Sequence, residues 1–132
     1  MSFDLIFFDA RVAPKSETDF DNWLEGLEDF SEFFDDETHC SDNLQKCFIE
    51  FSDVFPSMDQ SNNNIDEAHI TQYSFAKHMI EGNFAFSVAE EAGTLILKIA
   101  AKYEIGIFDA QESEVYLPIS QTEFKKFRIY NY

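Results

Sequence analysis

"SVAEEAGTLILKIAAKYEIGIFDAQESEVYLP", residues 87 to 118, carries the signals of one helix followed by two short strands. Ser87 with Glu90 has the form of a capping box, and Val88, Ala92, Leu95, Ile96, Ile99 and Tyr103 share one face at a 3.6-residue period. The spacing predicts a helix over residues 88 to 103, with Gly106 just past its end. "IGIFDA" and "EVYLP" read as strands joined by the acidic turn "QES".

Upstream, "ITQYSFAKHMIEGNFAFS" alternates around "EGN", whose Gly82 and Asn83 suit a tight reversal. Residues 70 to 77 and 79 to 86 are therefore expected to form a hairpin. Downstream, Ser120 with Glu123 offers a cap before "FKKFRIYNY", a segment that reads as a short helix or an edge strand. At the other end, residues 2 to 9 ("SFDLIFFD") have the apolar density of a buried strand, closed by Pro14.

Two amphipathic helices fill the first half. In "SETDFDNWLEGLEDFSEFFDDE", residues 16 to 37, Ser16 and Asp19 resemble a capping box, and Phe20, Trp23, Leu24, Leu27, Phe30 and Phe34 fall in one arc expected to face the core. Glu17, Asp21, Glu25, Glu28, Glu32 and Asp35 follow spacings of four, four, three, four and three, which predicts an acid stripe on a separate arc. In "SDNLQKCFIEFSDVFP" Ser41 or Asp42 caps a second helix with Leu44, Cys47, Phe48, Phe51, Val54 and Phe55 on one face, and Pro56 stops it. "SMDQSNNNIDEAH", residues 57 to 69, is polar and turn-rich and reads as a long flexible loop.

The order β-α-α-β-β-α-β-β lacks regular alternation, so the expectation is α+β: one domain over residues 1–132, with helices packed on a small mixed or antiparallel sheet. Sixteen Phe in 132 residues exclude a disordered acidic chain. A net charge of −17 argues against nucleic acid and anionic membrane, whose phosphates need Lys or Arg, and favours a basic protein partner. The opening residues lack a basic leader pattern and no apolar run reaches a membrane span, so a cytoplasmic protein is expected. Cys40 and Cys47 are expected as free thiols.

The opening "MSFDLIFF", with "FAFSVAEEAGTLILKIAAKYEIGIFDAQESEVYLP", resembles small acidic bacterial immunity proteins of polymorphic toxin systems, including contact-dependent growth inhibition. The residues that carry it are Phe3, Asp4, Leu5, Glu90, Glu91, Ala92, Gly106, Phe108 and Asp109. They read as scaffold positions. The resemblance implies a cytoplasmic inhibitor, without catalytic motif, that neutralises a basic toxin C-terminal domain, commonly a nuclease; apart from the resemblance, a monomer or weak dimer is expected.

Enzymatic alternatives find little in the sequence. His39, Cys40 and Cys47, with Asp36 or His69, do not follow the spacing of a zinc site, and Asp35 with Asp36 lacks the frame of a calcium loop. No phosphate loop or nucleophile elbow occurs, and no cofactor is expected. His69 and His78 read as ordinary surface or sheet histidines. Along the stripe, carboxylates three or four residues apart repel without an interleaved cation, which sets a binding role level with a merely solvated face. The expected contact residues are Glu17, Asp21, Glu25, Glu28, Glu32, Asp35 and Asp36, with Asp109, Glu112, Glu114, Asp66 and Glu67 as secondary candidates. The rival readings are an acidic adaptor or nucleic-acid mimic that binds a basic endogenous protein and, behind it, an enzyme of unknown reaction.

Overall fold

In Phe3–Asp9 (β1) both alternating sets of side chains are apolar, so this strand is satisfied only between two cores. The computed structural model, which describes residues 2–58 and 66–129, places it there. The other elements are α1 (Glu17–Phe30), α2 (Asp42–Ser52), β2 (Gln72–Phe75), β3 (Met79–Phe84), α3 (Ala89–Ile99), β4 (Ile105–Asp109), β5 (Glu114–Pro118) and β6 (Phe124–Arg128). The strands form a six-stranded sheet in the order β2-β3-β1-β4-β5-β6, with every pairing antiparallel. This is an α+β domain.

The alternation of β1 sorts the two faces. Leu5 and Phe7 point to the face covered by α2 and α3, where Phe51 stacks on Phe55 at 5.1 Å and meets Phe7 and Phe84 edge-on. Ile6 and Phe8 point to the other face, where α1 brings Phe20, Leu24, Trp23 and Leu27. Phe8 and Phe20 lie 5.2 Å apart, and Trp23 packs against both.

Several local expectations change. The hairpin of β2 and β3 exists, but it turns at residues 76–78, and Gly82 and Asn83 lie inside β3. A Cβ on Gly82 would sit 2.8 Å from the Phe84 ring, so this glycine serves close packing and not a reversal. Helix α3 is entered through a 3₁₀ turn at Phe86–Val88, without a side-chain cap from Ser87. Its exit, a 3₁₀ turn at Ala100–Tyr103, ends on Glu104 at φ 57°, so Gly106 is not the terminator. Gly106 instead lies in β4 under the Phe8 ring.

At the first helix, Ser16 is the N-cap residue but makes no side-chain cap bond. Val54, placed on the core face by periodicity, is exposed. The C-terminal segment resolves as an edge strand, β6, which carries Lys125, Lys126 and Arg128. Cations along an edge discourage pairing with another copy of the same edge. Of the expected flexible loop, residues 59–65 lie outside the described residues, and its end, Glu67–His69, is a 3₁₀ turn.

Candidate acidic docking surface

Helix α1 stops at Phe30, earlier than the periodicity implies. Ser31 is extended (φ −74°, ψ 143°), and the Phe34 amide donates to the Phe75 carbonyl at 2.7 Å, fastening residues 31–36 to the edge of β2. A backbone hydrogen bond to an otherwise open sheet edge competes here with another helical turn. The acid stripe is therefore broken. Glu17, Asp21, Glu25 and Glu28 lie on α1, whereas Glu32, Asp35 and Asp36 follow in the non-helical segment.

Their exposure differs too. Glu17, Glu25, Glu32, Asp35 and Asp36 are exposed, and so are Asp19 and Asp29, which the stripe omitted. Asp21 and Glu28 are half-buried, and Asp21 Oδ1 is buried without a hydrogen-bond partner among the described residues. Asp36 caps the 3₁₀ turn Glu37–His39, accepting from the hydroxyl and amide of Thr38, and these bonds hold its carboxyl below the usual range.

The arc of apolar residues is corrected in the same place. Phe20 and Leu24 are fully buried and Trp23 and Leu27 half-buried, but Phe30 is 88% exposed. Phe34, off the helix, stacks on the His39 ring at 3.9 Å. The bridge turns Phe34 toward the protein, and extended backbone alternates, so its neighbour Phe33 turns outward and is 44% exposed. Periodicity puts Phe30 on the buried arc and leaves Phe33 out of it. The available signal was the density of "FSEFF", three Phe in five residues just where the helix must end.

The secondary acidic candidates have internal work. Asp109 Oδ1 accepts from the Gln111 amide at 3.0 Å, from the Gln111 side chain at 2.9 Å and from the Glu112 amide at 3.3 Å, which shapes the turn between β4 and β5. Glu114 meets Lys126 at 2.8 Å and Arg128 at 3.5 Å, and Arg128 also lies 3.9 Å from Glu112. Asp66 caps its 3₁₀ turn through the Ala68 amide, and Glu67 is exposed beside it.

Two further ion pairs lie away from α1. Asp9, 1% exposed, receives Nε and a terminal nitrogen of Arg11 at 3.0 and 2.8 Å and the Arg11 amide at 3.0 Å. Burial pushes its carboxyl up, but the Arg11 bonds outweigh that and hold it below the usual range. Lys102 and the Tyr103 hydroxyl both donate to Glu50, joining α2 to the exit of α3. Arg11 thus engages Asp9, Lys102 engages Glu50, and Lys126 and Arg128 engage Glu114, all away from the exposed carboxylates of α1.

Thiol, histidine and cleft chemistry disperses. Cys40 and Cys47 are free and buried, and burial pushes both thiols up to about 12. His69 does have partners, Glu91 at 2.8 Å and Asp66 at 3.9 Å. Among the described residues no group of three His, Cys, Asp or Glu side chains is arranged to hold a metal ion. A cleft of about 380 Å³ contains Arg11, Lys15 and Lys102, two of which are already paired. No helix among the described residues is long and apolar enough to cross a membrane.

Comparison of the chain with protein-family models, with curated proteins and with solved structures finds no match in any of the three.

Proposed function

We propose that this protein is a cytoplasmic inhibitor without catalytic activity, an immunity protein that binds and neutralises a basic toxin domain, such as a nuclease, through the acidic surface of α1 and residues 31–36. The observation that carries the reading is the exposed negative charge of this surface. Between Lys15 and Lys46 there is no Lys or Arg, and seven exposed carboxylates lie from Glu17 to Asp36, four on α1, whose buried side already closes a core, and three in the segment that follows it. Exposed like charge on a well-packed element repels itself and is accounted for by a cationic partner. The likeness of residues 1–8 and 84–118 to small immunity proteins supports the same conclusion.

The test takes the product of the gene adjacent to this one, purified and mixed with the full chain. A stoichiometric complex that abolishes that product's toxicity is expected, with association slowed by Glu25→Lys, Asp29→Lys and Glu32→Lys together and less dependent on salt than in the parent. Recovery of only acidic proteins or small metabolites as partners overturns the reading.

A further inference from the structure

The two aromatic rings at the end of α1 are not explained by charge. Phe30 and Phe33 stand 88% and 44% exposed in the eight-residue stretch 29–36, with the exposed carboxylates of Asp29, Glu32, Asp35 and Asp36 around them in sequence. A single exposed apolar residue is ordinary, but two Phe turned outward, one at the end of α1 and one beside the Phe34–Phe75 bridge, form the kind of aromatic feature that anchors interfaces.

We propose that Phe30 and Phe33 are the apolar anchors of a docking surface for a basic amphipathic segment of a partner protein, with the neighbouring carboxylates as its acid rim. The proposal rests on the reading of the partner as basic and adds how that partner is held. Charge complementarity selects the occupant. A second copy docked through the same patch would bring Asp29, Glu32, Asp35 and Asp36 against their own counterparts. A Lys- or Arg-flanked apolar side chain meets both features. In this division the rim sets the rate of encounter and the rings set the rate of escape.

The test is independent of any toxin. Two synthetic peptides of equal length and charge, one alternating Lys with Leu and one alternating Lys with Ser, are titrated into the ¹⁵N-labelled full chain. The Lys–Leu peptide is expected to bind about ten-fold tighter and to shift the amides of residues 29–36, and Phe30→Ser with Phe33→Ser to remove that preference. Asp29→Asn, Glu32→Gln and Asp35→Asn together keep the rings and are expected to weaken both peptides alike. An unaltered preference in the double Phe variant overturns the proposal, as do shifts confined to another face or a Phe-dependent dimer in sedimentation. If the peptides behave as expected and the toxin domain does not bind, the inhibitor reading fails and the docking surface stands.

Discussion

Helices α1 and α2 are written in the same idiom, an aromatic stripe opposed to acids, and the fold uses them differently. In α2, Leu44, Cys47, Phe48 and Phe51 are all buried between the sheet and α3, and its Glu50 is neutralised by Lys102. In the longer α1 only Phe20 and Leu24 are fully buried, no basic residue occupies the last turn, and the final Phe faces solvent. The α2 face does the folding. The α1 face closes a smaller core and leaves charge and aromatic surface facing solvent.

The widest separation between the two helices is expected in their aromatic residues. Phe51→Ala removes a ring packed against Phe7, Phe55 and Phe84 and is expected to cost about 3–5 kcal/mol, whereas Phe30→Ala changes stability by no more than about 0.5 kcal/mol. Urea denaturation of the two variants measures both. Comparable losses would mean that Phe30 belongs to the core and would remove the contrast.

How far this division was legible depends on which force wrote each element. Burial is written at every residue, so the buried face of α2, the helix over 88–103 and the strands around β1 follow from periodicity alone. The end of α1 is decided by one backbone hydrogen bond from Phe34 to Phe75, forty-one residues away, and no local pattern encodes that contact. Glycine misled for a similar reason. Gly82 and Gly106 look like turn residues, but each clears space for a ring, Phe84 or Phe8, that only the folded sheet brings there. The carboxylates at the candidate site were found by charge and spacing, while the exposed rings beside them required the fold.

A buried paired charge sharpens the contrast with the exposed carboxylates of α1. Arg11→Ala takes the guanidinium from buried Asp9, which keeps the residue-11 amide and the nearby Ser41 side chain, and is expected to cost about 2 kcal/mol at pH 7, less than for a fully buried pair because Arg11 itself is 42% exposed. The sign of the pH dependence follows from the lowered carboxyl of Asp9. A depressed carboxyl contributes stability that is present above its unfolded value, about pH 4, and lost as pH falls through the folded one. In the variant, burial acts on Asp9 without the guanidinium and favours its protonated form. The cost of the substitution should therefore shrink on going from pH 7 to pH 3.5 in paired denaturation curves. A cost independent of pH would mean that Arg11 acts through packing of its stem and not through its charge.

The smallest effect expected is also the one that touches the stripe itself. Glu25 is exposed on α1, four residues after Asp21, three before Glu28 and four before Asp29, so it sits where like charges meet from both sides. Each such pair is worth a few tenths of a kcal/mol, and Glu25→Lys reverses the sign of all three. It also supplies a cation to the C-terminal half of a helix that has none in its last turn, where the backbone dipole favours positive charge. The variant should be about 1 kcal/mol more stable than the parent at low ionic strength, with the gain fading as salt screens it. The same change should slow encounter with a cationic partner, because it weakens the field that steers it. A gain in stability coupled to a loss in association rate is what a helix under selection for binding shows, since the sequence then retains repulsion that folding alone would remove. If thermal unfolding at low salt finds the variant no more stable than the parent, the carboxylates of α1 do not repel one another appreciably. The charge of the stripe then loses its claim as a sign of function, and the case for a partner passes to Phe30 and Phe33.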